Sequence, residues 1–411
     1  MFSLNLSSRS RTIAIAERRL PKIARTIAEF LVVAICTLSF IFTAASIGAA
    51  VLHKNSAGTR DSVEYWAAGV QLVHHGNPYD PKAILPIELG VGFPADDPAL
   101  VALNPPTILP LLAPLGFLGA RLAEIVWLLL LLATFIVSVR MVWIMHGRPK
   151  NYLHYLGYAF APALGCLIAG QISLLILLGL VLFLRLHRTY PVLAGASLWF
   201  CALKPHLFLP FGIALIAWSI ATRCYKVVLG AVLALAASAA IAFFLDPSAW
   251  AQYSQIMMQT RIDEIAIPYL SIALRRSIAP NTMWVQYLPA LLGCLWAFAY
   301  FRRHRRDWDW IAHGSPLMLV SVLVAPYTWL IDQSILIPAL LHAVYLTRSR
   351  NVLATLALAS AVIEIARVRG LDLLHSAFYL WTAPAWLIWY LYAARDSGPG
   401  SASDPSKITG G

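Results

Sequence analysis

The sequence predicts an all-α protein built as a polytopic membrane bundle, and three observations carry that prediction. Hydrophobic residues fill 60% of the 411 positions and charged ones only 12%. The mean hydropathy is +0.71, more apolar surface than a water-soluble core can hide. The apolar residues fall in repeated runs of membrane-spanning length, rich in Leu, Ala, Ile and Gly, where barrel strands would alternate over about 10 residues. Between the runs, Lys and Arg gather in short clusters, the mark of cytoplasmic loops. The same clustering explains the net charge of +12 without nucleic acid.

Taken in order, the elements give about 12 spans. Residues 1–26 form a basic cytoplasmic N-terminus, with Arg9, Arg11, Arg18, Arg19, Lys22 and Arg25. The run 27–52 is too long for a cleaved signal peptide and reads as an uncleaved signal-anchor helix. The segment 53–98 holds six acids against three bases and belongs outside. The run 100–118 is apolar but carries Pro105, Pro106, Pro110 and Pro114, so it reads as an interfacial or re-entrant piece. These stretches make an outer loop over 53–120. Further spans are expected at 121–145, 153–169, 171–186, 190–203, 206–221 and 227–245. An outer loop over 246–283 follows, then spans at 284–301, 314–331, 333–347, 351–366 and 378–394. Basic patches at Arg148–Lys150, Arg223–Lys226 and 302–306 fall on one side, while Arg367 and Arg369 break the rule. Residues 27–395 thus form one transmembrane domain, and the Gly/Ser/Pro-rich tail 396–411 is expected to be disordered and cytoplasmic.

This topology brings the unusual polar residues to one face of the membrane. Asp61 lies outside, Gly170-Gln171 at one outer turn, Lys204-Pro205-His206 at another, and Asp332 at a third. Arg261, Arg275 and Arg276 lie in the second outer loop. Ionisable groups at or in a membrane are expensive and mark function by default. Snorkelling or interface anchoring explains any one of them alone; their convergence is what carries weight. The five cysteines form no CxxC pair, and there is neither a zinc-ligand spacing nor an HExxH. Asp96-Asp97 reads as a solvated loop, which leaves a divalent cation open and no cofactor assigned.

The stretch "DSVEYWAAGVQLVHHGNPYD" reads as a short amphipathic interfacial helix. Asp61 is expected to cap it, with Glu64 completing a capping box and Gly76 ending it in the left-handed conformation. Tyr65 and Trp66 suit a membrane interface.

That stretch, with "NPPTILPLLAPL", "GQISLLILL", "ALKPHLFLPFGIAL" and "APYTWLIDQSILIPAL" in order, resembles glycosyltransferase family 87. Its members are GT-C-type membrane enzymes related to polyprenyl-phosphate-dependent mannosyltransferases. Asn104-Pro105-Pro106 stands where the family often has Tyr-Pro-Pro. Lys204-Pro205-His206 stands where it often has Lys-Pro-Gln, and Asp332-Gln333 lies where many members carry His.

The charge pattern puts both termini in the cytoplasm, and the resemblance implies a GT-C-like bundle in a bacterial inner membrane. It implies transfer of a sugar, mannose or another hexose or pentose, from a polyprenyl-phosphate donor to an extracytoplasmic glycan or lipid acceptor. It makes Asp61 the general base. Single displacement then asks for cations at the leaving phosphate, for which Lys204, His206, Arg275 and Arg276 are the candidates. Tyr65, Tyr79 and Gln171 are candidates for orienting sugar hydroxyls, and Asp332 for binding one or holding Lys204. A transporter or flippase for a lipid-linked sugar is the competing class, but it would show internal repeats and a site near the midplane.

Overall fold

The computed structural model describes residues 34, 37–48, 57–260, 269–347, 349–371 and 375–395. The basic N-terminus, the C-terminal tail and Arg261 lie outside them. Among the described residues the chain is helical, with no strand. The helices are α1 (Thr37–Gly48), α2 (Ser62–Val73), α3 (Pro81–Leu89), α4 (Leu109–Gly116) and α5 (Ala120–Met145). Then come α6 (Ala161–Ala169), α7 (Ser173–Leu186), α8 (Pro191–Cys201), α9 (Leu209–Ala221) and α10 (Tyr225–Leu245). The rest are α11 (Ala249–Gln259), α12 (Leu270–Ile278), α13 (Leu288–His304), α14 (Gly314–Leu323), α15 (Ile337–Leu346), α16 (Arg350–Val368) and α17 (Thr382–Arg395).

Among the described residues, four helical segments have the length and composition to cross a membrane: Ala120–Met145, Tyr225–Leu245, Met283–His304 and Arg350–Val368. The other apolar runs make shorter helices, and proline sets several of the breaks. The expected span 314–331 stops at Leu323, because Pro326 lacks the amide hydrogen a helix needs and disfavours a helical Ala325. A 3₁₀ segment, Leu330–Leu336, then leads into α15. The expected span 153–169 is divided likewise, into a single turn at Tyr155–Tyr158 and α6, which has Pro162 in its first turn. In 100–118 a 3₁₀ turn (Pro106–Ile108) precedes α4, where Leu109, Leu112, Ala113 and Leu115 are buried. The outer loop 246–283 carries two helices of its own, α11 and α12.

Small residues set the closest helix crossings, as is usual where there is little else to draw apolar helices together. A β-carbon on Gly69 of α2 would stand 2.5 Å from the Leu112 carbonyl oxygen of α4, and one on Gly116 would stand 2.1 Å from the Gly69 oxygen. The α2–α4 contact is therefore backbone on backbone. Gly195 of α8 and Gly230 of α10 make a matching crossing, at 1.8 and 1.9 Å from carbonyl oxygens of Val227 and Val192.

The opening of α2 departs from the sequence expectation. Asp61 has helical dihedrals and its side chain makes no capping bond, so the Asp61–Glu64 capping box does not form. At the other end His75, not Gly76, takes the left-handed conformation (φ 56°). The Gly76 amide reaches the Gln71 carbonyl at 2.7 Å and the His75 amide the Leu72 carbonyl at 3.2 Å, a Schellman arrangement shifted by one residue. Asp80, not singled out in the sequence, caps α3 by accepting from the Lys82 amide at 2.9 Å. Nor does α2 lie on the surface. Tyr65 is buried against Trp127, ring centroids 5.1 Å apart, and the Trp66 indole donates to the Leu118 carbonyl.

Candidate active site

One wall of the site is made where the α6–α7 turn presses on the start of α2. Gly170 ends α6 with φ +75°, a conformation open to glycine at little cost. A β-carbon there would lie 2.7 Å from Ser62 Cβ. The Gly170 carbonyl accepts from the Trp127 indole at 2.7 Å. This turn delivers the Gln171 side chain between two acids. Its Nε2 donates to Asp61 Oδ2 at 3.0 Å and to Glu64 Oε1 at 3.2 Å, while Tyr65 OH donates to its Oε1 at 2.8 Å. The carboxyls that local spacing assigned to a helix cap are thus engaged by an amide 110 and 107 residues away. Burial, and next the Asp61 charge, push Glu64 up to about 8. Burial and then Glu64 push the Tyr65 phenol well above its ordinary value.

The facing wall is built around a buried ion pair. Pro205 prevents α8 from continuing past Lys204, and the chain turns into a 3₁₀ segment, Pro205–Phe208. Lys204 Nζ donates to Asp332 Oδ1 at 2.7 Å, with the two side chains 9% and 0% exposed. Ser173 Oγ donates to the same oxygen at 2.5 Å. The other carboxylate oxygen accepts from the Trp329 amide at 3.1 Å and Thr328 Oγ1 at 3.3 Å. Lys204 Nζ also sits 5.7 Å from the centre of the Trp329 ring, within cation–π range. Next to it, the His206 ring stacks on Tyr327 with centroids 3.9 Å apart.

Between these walls lies a cavity of about 420 Å³, within the ~300–1,000 Å³ usual for small-molecule sites. Glu64, Tyr65 and Gln171 line one side and Lys204 and His206 another. Val101, Leu103, Leu203, Leu209 and Met257 make an apolar strip, and Tyr253, Tyr287, Tyr327 and Trp329 add aromatic rings. Asn104 also lines it, tied by its Nδ2 to the Leu203 carbonyl at 3.0 Å.

Of the residues expected from sequence, Tyr65, Gln171, Lys204 and His206 line the cavity, and Asp61 is joined to it through Gln171. Asp332 stands behind Lys204, fully buried. Tyr79 stands behind the Asn104 loop, its OH donating to the Asn104 carbonyl at 3.1 Å and its ring packed on Tyr253. The two arginines of α12 are not brought in. Arg275 is buried and donates to the Pro280 carbonyl at 2.9 Å, Arg276 is exposed, and neither lines the cavity. Asp96 and Asp97 are exposed.

Sequence reasoning missed Glu64 as a site residue, and with it Tyr253, Met257 and Tyr287. The three-residue spacing from Asp61 was the signal for Glu64; for the others, spread over α11 and the turn before α13, there was none. Among the described residues, the one His/Asp group tight enough for a metal is His304, Asp307 and His313, outside the cavity. It sits beside Arg302, Arg303, Arg305 and Arg306, whose charge opposes a cation.

The fold and the cavity define a class: among the described residues, an all-helical protein rich in apolar helices, holding a pocket lined by a glutamate, a lysine and a histidine. A model of glycosyltransferase family 87 matches residues 102–326, more than half of the chain, and the chain belongs to that family. Membership makes it a membrane glycosyltransferase. The match includes Asn104, Gln171, Lys204 and His206, and lies between Asp61 and Asp332. No curated protein and no solved structure matches the chain.

Proposed function

We propose that this enzyme transfers a hexose or pentose, mannose by family analogy, from a polyprenyl-phosphate carrier to a glycan or glycolipid acceptor outside the cytoplasm. The observation that carries this reading is the cavity itself, lined by Glu64, Lys204 and His206, with Asp61 joined to it through Gln171 and room for a sugar inside. Asp61 is the general base. It takes the acceptor hydroxyl proton as that oxygen attacks the anomeric carbon. The bond from that carbon to the phosphate oxygen breaks on the opposite side, so the configuration inverts. The departing phosphate monoester gains charge, and Lys204 and His206 receive it. An ammonium has three donors and Asp332 engages one, so Asp332 positions Lys204 without consuming it. The apolar strip with Leu209 and Met257 suits the first isoprene units of the carrier.

The same reading places the protein in a bacterial inner membrane as a GT-C-like bundle of about 12 spans. Both termini are cytoplasmic and the cavity opens to the opposite face. The test is transfer by purified protein in lipid nanodiscs, from radiolabelled polyprenyl-phosphate sugars to membrane glycolipid extract. Asp61→Asn keeps a side-chain oxygen for Gln171 but cannot take a proton. It should lower transfer by at least ~100-fold at unchanged thermal stability. Normal transfer by that variant would remove Asp61 from the chemistry.

A further inference from the structure

Glu64 stands one helical turn beyond Asp61 on the same face of α2, the spacing at which helical side chains are neighbours. Both carboxyls bind one nitrogen, Gln171 Nε2. Glu64 lines the cavity, makes no capping bond, and among the described residues has no cation within ion-pair distance. A half-buried acid with no ion-pair partner in contact is costly to keep charged. We propose that Glu64 is the second acid of the site: it hydrogen-bonds a hydroxyl of the acceptor next to the one that Asp61 deprotonates. This inference rests on the transferase reading and deepens it. The acceptor then presents adjacent hydroxyls and is a sugar residue, not a simple lipid alcohol or a hydroxyl-bearing protein side chain.

The charges around Glu64 give the two acids different tasks. Asp61 and Tyr65 face it from its own helix, Gln171 from the α6–α7 turn, Lys204 from across the cavity and Glu88 from α3. Burial and the Asp61 charge outweigh the pull of Lys204, so Glu64 keeps its proton up to about pH 8. It therefore donates from O–H and accepts at its carbonyl oxygen, while Asp61 only accepts. In the reaction, the nucleophilic hydroxyl's proton passes to Asp61, its oxygen bonds the anomeric carbon, and the bonding pair leaves with the phosphate. The Glu64 proton stays where it is.

The experiment uses full-length protein in nanodiscs, radiolabelled polyprenyl-phosphate sugar and extracted membrane glycolipid as the acceptor probe. Wild type, Glu64→Gln, Glu64→Ala and Asp61→Asn are compared from mildly acidic to alkaline pH. Wild-type kcat/KM should fall as pH rises through about 8, where Glu64 loses its proton. Glu64→Gln, which donates at every pH, should lose that fall. Glu64→Ala should raise the acceptor KM about tenfold and change kcat less. The same alkaline fall in Glu64→Gln, or an unchanged acceptor KM in Glu64→Ala, overturns the inference. Asp61→Asn stays inactive at every pH whichever way Glu64 behaves. An inactive wild type overturns the underlying transferase reading instead, and an active Asp61→Asn removes Asp61 as the general base on which the pairing of the two acids rests.

Discussion

Among the described residues two ion pairs are buried at nearly the same distance, Arg60–Glu124 at 2.8 Å and Lys204–Asp332 at 2.7 Å. Their exposures are alike too, 5% and 2% against 9% and 0%. They differ in what lies next to them. Arg60 also donates to the Ile168 carbonyl, so this pair fastens the entry of α2 to α5 and to the end of α6. Lys204 borders the cavity, and its acid is held from behind by Ser173, Thr328 and the Trp329 amide. Burial and pairing are therefore no signature of function; what separates the pairs is whether the cation meets open space.

The strongest way to break the comparison is to remove one cation from each pair. Removing one partner of a buried pair leaves a stranded charge and destabilises by about 3–5 kcal/mol. Lys204→Ala and Arg60→Ala should both show that loss in thermal melts. Transfer per folded molecule should drop at least ~100-fold in Lys204→Ala and by less in Arg60→Ala, which loosens the entry of α2 but removes no group that borders the cavity. Equal losses of transfer would erase the distinction. Replacing whole pairs sharpens it. Lys204→Met with Asp332→Leu, and Arg60→Met with Glu124→Leu, should each recover stability to within about 2 kcal/mol of wild type. Only the second should recover transfer.

Glu88 supplies the contrasting case of a buried acid without an ion pair. Its Oε2 accepts from the Leu100 amide at 3.1 Å, and its Oε1 has no hydrogen-bond partner. Burial raises it from 4.5 to about 7. The folded state then binds the proton more tightly than the unfolded chain does. The contribution of Glu88 to stability is greatest below about pH 4.5, falls as pH rises toward 7, and is flat beyond. Glu88→Gln should leave stability nearly unchanged at low pH and raise it by about 1–3 kcal/mol at pH 8, measured by thermal melts across pH. The smallest effect is expected at an exposed cap: Asp80→Ala should remove about 1 kcal/mol and leave transfer unchanged.

How much of this was legible in the sequence depended on the range of the interaction. Charge clusters and apolar runs are local, and they foretold the helices at 121–145 and 227–245 closely. Prolines are local too, yet Pro162 and Pro326 were read through, and the runs around them were drawn as unbroken spans. The convergence of Gln171, Lys204 and Asp332 was foreseen from topology. The Lys204–Asp332 bond was one of two roles left open for that acid. The capping box failed because it is a local rule. At Asp61 a local bond competed with Gln171, and packing of the α6–α7 turn decided the outcome. Arg60–Glu124, the Tyr65–Gln171 bond and the aromatic lining are contacts between distant segments, and no spacing announces them.

The turn at Gly170 amounts to a machining tolerance. Only a hydrogen atom separates it from Ser62, one residue from the proposed base. A methyl group at position 170 would have to displace the entry of α2, and a shift of about 1 Å in a reacting group lowers rates by roughly 100-fold. The alignment of the reaction is thus gauged at a residue that carries no functional group at all.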